Sequence, residues 1–155
     1  MRLDELDHQI VALLSRDGRC SFRTIGAVVG LSAPAVKRRI DRLIADGVIE
    51  RFAAVIDPRA LGWTTEAFVE LFCEGRTPPG MIRTALARLP EVVDAYTITG
   101  DPDALVHVRA SDTAHLEATL EKVRSQPFVV RTRSVIVLSR LLERQLPTEE
   151  ETASS

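Results

Sequence analysis

Leu6, Ile10, Leu13 and Leu14 recur at the spacing of a helix face, and Asp4 stands ahead of them as an N-cap. Asp17-Gly18 supplies the stop for this first predicted helix. Ser21 caps a short second helix with Ile25, Val28 and Val29 on its apolar face, and Gly30 ends it in the left-handed conformation. Ser32 caps a third helix with Pro34 in its first turn, where a missing N–H costs little. Val36, Ile40, Leu43 and Ile44 form its buried stripe, and Gly47 ends it. The link Val29-Gly30-Leu31-Ser32 is too short to separate the last two helices, and a glycine in such a turn signals a helix-turn-helix.

Beyond Gly47, VIERFAAVID reads as extended until Asp57-Pro58 and Leu61-Gly62 break it, which makes residues 53–64 a linker strand. In Glu66–Cys73, Ala67, Val69, Leu71 and Cys73 alternate with Glu66, Phe68, Glu70 and Phe72, a strand with partly apolar faces on both sides. Pro78 and Pro79 open a helix with Ile82, Ala85, Leu86 and Leu89 on one face, closed by Pro90. Val92–Thr99 and Ala104–Ala110 form a hairpin across Gly100-Asp101-Pro102-Asp103. Asp112 caps a helix carrying Leu116, Leu120 and Val123, Pro127 stops it, and Phe128–Leu138 is the last strand. The order βαββαβ is that of ferredoxin-like domains. The tail Pro147–Ser155 is acidic and polar, the composition of a disordered segment.

Composition narrows the function classes. A chain of 155 residues, 45% of them hydrophobic, suits one domain or two small ones. No run reaches the ~18 apolar residues of a membrane span, and MRLDELDHQI is too acidic for a signal peptide, so the expected compartment is the cytoplasm, without membrane partners. Cys20 and Cys73 lack the spacing of a disulfide framework or zinc site and read as reduced structural residues. No nucleophile–base pair, acid pair or phosphate-cradling loop stands out, and His8, His107 and His115 fall on three different elements; no catalytic residue, metal ligand or cofactor is expected.

The net charge of −2 conceals a gradient: residues 1–60 carry 10 Lys and Arg against 8 Asp and Glu, the remainder 10 against 14. On the third helix, at about 100° per residue from Val36, Arg38 falls near 200° and Arg42 near 240°, opposite the apolar stripe, with Lys37 and Arg39 on the flanks. The plain reading is a solvated face partly paired with Asp41 and Asp46. The tight turn ahead of the helix favours a second, in which the face enters the DNA major groove. The turn Gly100, Asp101 and Asp103 likewise reads either as a tight turn or as a loop offering backbone donors and carboxylates to a small zwitterion.

LDELDHQIVALLSRDGR, then GLSAPAVKRRIDRLIADGVIERFAAVIDPRALG, then ITGDPDALVHV together resemble the Lrp/AsnC family of bacterial and archaeal transcription regulators, over residues 3 to about 140. The resemblance implies an α+β fold: a winged helix-turn-helix over residues 1–52, the linker strand 53–64 pairing between subunits, a ferredoxin-like effector-binding and oligomerisation domain over 65–141, and the tail 142–155. It implies two-fold dimers through the C-terminal sheets, able to build octamers, and a small effector, an amino acid or related metabolite, beside the Gly-Asp-x-Asp turn. The partners expected are double-stranded DNA, that effector and further copies of the chain. Candidate DNA contacts are Ser32, Ala35, Lys37, Arg38, Arg39, Arg42 and Arg51; candidate effector contacts are Thr99, Gly100, Asp101, Asp103, Ala104, Leu105, Thr132 and Ser134. Pro102 and Ala104 depart from the aromatic residues that relatives often carry there, so the effector stays unnamed. Two alternatives stand beside this reading. One is an enzyme resembling sirohaem decarboxylases, drawing on His107, Arg109 and Arg131 or Arg133. The other is a sensor whose helix-turn-helix no longer binds DNA.

Overall fold

The computed structural model describes residues 2–142. One compact unit ends at Val55 and a second spans Ile56–Leu141. The first is built on α1 (Glu5–Arg16), α2 (Phe22–Val29) and α3 (Ala33–Ala45). Asp4 and Asp7 cap α1 reciprocally, each carboxylate accepting the other's backbone N–H. Ser21 and Ser32 accept the N–H groups of Thr24 and Ala35 at the starts of α2 and α3. Gly30, at φ 72°, takes the left-handed turn between them. Gly26 allows that turn to fold back on α2, since a Cβ there would lie 2.3 Å from the Leu31 carbonyl oxygen.

Ile10, Ile25, Val29, Val36, Ile40 and Leu43 are the core of this unit, and burying each contributes roughly 1.5–3 kcal/mol. Val28 and Ile44, expected inside, are 64% and 42% exposed. Both sit roughly 80° from the centre of their stripes at 100° per residue, and a three-helix core this small covers only the centres.

Among the described residues the first unit contains no strand, and none lies between Gly47 and Thr65. Within this single chain the residues after α3 are irregular backbone followed by a 3-10 turn, Pro58–Leu61, and the pairing expected of the linker strand 53–64 is with a second subunit. Asp57 caps that turn by accepting the Arg59 N–H, and Pro58 has no N–H to give a ladder.

The second unit runs β1 (Thr65–Cys73), α4 (Pro79–Leu86), β2 (Val92–Thr97), β3 (Ala104–Ala110), α5 (Thr113–Arg124) and β4 (Val129–Ile136). The sheet is antiparallel, in the order β2-β3-β1-β4. β2 stops two residues before the expected Thr99 and β4 two before Leu138. Ala67, Val69 and Leu71 of β1 pack with Val106, Val108, Ile82, Leu86, Leu116 and Val123, while Phe68, Glu70 and Phe72 alternate onto the opposite face.

Glu91, 3% exposed, fastens α5 to this unit. Its Oε1 lies 2.7 Å from Lys122 Nζ and 3.1 Å from His115 Nε2, while Oε2 is buried without a hydrogen-bond partner. Burial pushes the carboxyl up, but Lys122, a backbone N–H and His115 outweigh it and hold the pKa at about 2. The tail predicted over Pro147–Ser155 lies outside the described residues, and among those described no helix is long and apolar enough to cross a membrane.

Candidate nucleic-acid interface and effector site

The structure divides the basic face of α3. Arg39 Nη1 donates to Asp4 Oδ2 at 2.7 Å and to Asp7 Oδ1 at 2.8 Å, and Arg42 Nη2 donates to Asp7 Oδ2 at 2.6 Å. Asp7 is 1% exposed, so its charge is stabilised by these two guanidiniums rather than by water. The Arg39 guanidinium and the Asp7 backbone N–H hold the Asp4 carboxyl below the usual carboxylate range. Four basic side chains were expected to project outward together; two instead turn toward α1, 32 to 35 residues away in sequence. Lys37 pairs with Asp41 at 2.6 Å, as the helical spacing predicts, with both side chains more than half exposed. Arg38 is exposed and, among the described residues, its side chain has no ion pair or hydrogen bond. Ser32 is exposed at the N-cap, Ala35 is half-buried one turn on, and Arg51 lies exposed in irregular backbone past α3.

The second candidate site starts at the β2–β3 turn. Gly100 has φ 116°, a conformation that favours glycine. Asp101 is exposed. Asp103 is tied down: its backbone N–H donates to the Leu71 carbonyl at 2.8 Å, and its Oδ2 accepts the Cys73 N–H at 2.7 Å, beside the bulge at Phe72 and Cys73. Burial, with the Asp103 charge nearby, pushes the Cys73 thiol up.

Strand register separates the remaining effector candidates. Thr97, Ala104, Leu71 and Thr132 form one row across the sheet, on the face that packs on the helices. Thr132 Oγ1 accepts from Arg124 Nε of α5 at 3.2 Å. Ser134 shares that face in register with Val69, its Oγ buried without a partner. Leu105 points to the other face, in a row with Tyr96, Glu70 and Arg133. The eight candidates therefore occupy three places: Thr99 to Asp103 at the turn, Ala104, Thr132 and Ser134 against the helices, and Leu105 across the sheet. A groove of about 700 Å³ between α4 and β2 takes in Ala104 and Thr97, with Ile82, Leu86 and Tyr96 in its walls.

The sheet face opposite the helices mixes apolar and charged groups. Phe68 stacks on His107 with ring centroids 4.7 Å apart, and the Arg131 guanidinium lies 3.8 Å from the Phe72 centroid. Arg133 forks onto Glu70 at 2.6 and 2.8 Å, which holds the Glu70 carboxyl below its ordinary range. His107 Nε2 is 2.6 Å from Glu66 Oε1, and Arg109 Nε is 3.8 Å from Glu66 Oε2. Of the groups that the tetrapyrrole alternative draws on, His107, Arg131 and Arg133 are engaged with a carboxylate or an aromatic ring of this chain, while Arg109 Nε is buried without a hydrogen-bond partner among the described residues.

Both units match known families. Residues 66–147 match the Lrp/AsnC ligand binding domain, and residues 3–44 match the AsnC-type helix-turn-helix domain. The HTH-type transcriptional regulator Rv2324 of Mycobacterium tuberculosis is 51% identical over 146 residues, covering 94% of this chain and 99% of that protein. The HTH-type transcriptional regulator FL11 of Pyrococcus horikoshii is 36% identical over 136 residues, 88% of this chain and 89% of its own. The crystal structure of the M. tuberculosis leucine response regulatory protein LrpA aligns with a TM-score of 0.81 at 33% identity, over 92% of this chain and 98% of that one. With helix-turn-helix and ligand-binding units both matched, and relatives aligned along nearly their whole length, the chain belongs to the Lrp/AsnC family of transcriptional regulators.

Proposed function

We propose that α3 enters the major groove of double-stranded DNA with Arg38 on the base edges, and that a small effector held by the C-terminal unit tunes this binding. The observation that carries the reading is the contrast within α3: Arg38 is exposed and unpaired among the described residues, whereas Arg39 and Arg42 are held by Asp4 and Asp7. An unpaired guanidinium is free to fork onto guanine N7 and O6. Lys37, whose pairing with Asp41 is exposed and weak, exchanges its carboxylate for a phosphate. Ser32 and Ala35 abut the groove, and Arg51 meets the backbone.

The effector, an amino acid or a related metabolite, binds at the β2–β3 turn. Asp101 offers a solvent-exposed carboxylate to an ammonium, and Gly100 and Asp101 supply the backbone N–H groups for a carboxylate, since Asp103 gives its own to Leu71 and Pro102 has none. Asp103 fixes the turn through Cys73 and Leu71. The sheet face opposite the helices, with Phe68, Phe72, Tyr96 and Leu105, supports a homodimer able to build larger rings such as an octamer. Two copies of α3 then read successive major grooves, in the cytoplasm.

Fluorescence anisotropy tests this reading, with purified protein against DNA from upstream of its own gene and a shuffled control, over a salt series. The expected result is tighter binding to the upstream fragment that survives physiological salt. Equal binding to both fragments, vanishing with modest salt, overturns it.

A further inference from the structure

We infer that Asp7 is a positioning residue that withholds Arg39 and Arg42 from DNA and so sets the balance between specific and non-specific binding. The inference rests on α3 being the DNA-reading helix. Asp7 is 1% exposed, and its two oxygens take one guanidinium each, at 2.8 and 2.6 Å. Asp4 adds a second carboxylate to Arg39 at 2.7 Å. A sealed carboxylate cannot fall back on water when it loses its cations, so Arg39 and Arg42 stay with Asp7 at an energetic level that the exposed pair of Lys37 and Asp41 cannot match.

The consequence concerns which charges reach phosphate. Each cation that neutralises a phosphate steepens the salt dependence by about 0.9 and contributes equally to every DNA sequence. Spending two arginines on α1 lowers that sequence-independent part while leaving Arg38 free for base edges. Asp7 also fixes the rotation of α3 against α1, because Arg39 and Arg42 are neighbours on one side of the helix.

The test compares wild type with Asp7→Asn and Asp4→Asn by anisotropy against the upstream and shuffled fragments from 50 to 200 mM salt, with thermal unfolding recorded for each variant. Asn caps a helix as well as Asp does, so Asp4→Asn keeps the N-cap and removes only charge from Arg39. Expected for Asp7→Asn are tighter binding to shuffled DNA, a salt slope steeper by about 0.9 per released arginine, which is a further ~3- to 12-fold loss across that salt range, and a narrower upstream-to-shuffled ratio. Asp4→Asn moves the same three readouts the same way by less, and decides alone if Asp7→Asn fails to fold. Folded variants that keep the wild-type slope and ratio overturn the inference. So do variants that lose affinity for both DNAs by one factor at unchanged slope, since that is what a purely structural role produces. Arg38→Ala in the same assay separates the two levels: if it binds the upstream fragment like wild type, the reading of α3 itself fails and the inference falls with it.

Discussion

Asp7 and Glu91 are acidic side chains sealed from water in the two units, and each is held by two basic side chains from one helix distant in sequence. Asp7 takes Arg39 and Arg42 of α3, one on each oxygen. Glu91 takes Lys122 and His115 of α5 on a single oxygen and leaves the other buried without a partner among the described residues. The same electrostatic device locks a helix in both places, with different consequences. In the second unit Lys122 and His115 tie α5 to Glu91. In the first unit the guanidiniums are drawn from the face proposed to meet DNA, so that on this proposal packing and recognition compete for one set of side chains.

The largest effect expected comes from emptying the Asp7 clamp. The double substitution Arg39→Ala with Arg42→Ala strands a buried carboxylate and should cost about 3–5 kcal/mol in urea unfolding. Adding Asp7→Ala to that background should restore part of the loss, because the uncompensated charge is then gone. A triple variant as unstable as the double would break the comparison.

The Glu91 cluster should appear in acid. Its folded pKa, about 2, lies below the unfolded value near 4.5, so its stabilisation is complete above 4.5 and is lost as pH falls toward 2. The contribution is on the order of 3 kcal/mol. Glu91→Gln should therefore be the less stable chain at pH 6 and close to wild type at pH 2.5, measured by urea unfolding at both. A deficit that persists unchanged at pH 2.5 would mean that the carboxylate charge is not what holds α5.

Recognition effects come next. Arg38→Ala should weaken binding to the upstream fragment by about 1–3 kcal/mol while leaving the unfolding midpoint within about 0.5 kcal/mol of wild type. Lys37→Ala should be the mildest: its exposed pair is worth about 0.3–0.5 kcal/mol of stability, and its loss should flatten the salt slope by up to about 0.9. Arg39→Ala changing specificity as strongly as Arg38→Ala would erase the proposed division of labour.

The sequence was legible where signals are local. Asp4, Ser21 and Ser32 announce caps because a cap needs only residues three positions apart, and Gly30 announces its turn because few residues take positive φ without strain. β1 and β3 stood out because alternation and apolar runs reflect the burial of each strand. The clamp was not legible. Pairing rules along a helix point Lys37 to Asp41 correctly, but they cannot see that α1 brings Asp7 beside Arg39 and Arg42. Leu105 and Ala104 adjoin in sequence yet face opposite sides of the sheet, as the two-residue period of a strand dictates. Asp103 read as a ligand group, and its bond to the Cys73 N–H shows that it also shapes the turn.

The most direct test of the central claim, that Arg38 is the base-reading cation of α3, is methylation protection at guanine N7 on the upstream fragment with wild type and Arg38→Ala. The account predicts that at least one guanine protected by wild type becomes reactive in the variant while the rest of the footprint persists. An identical protection pattern in the two proteins would contradict it.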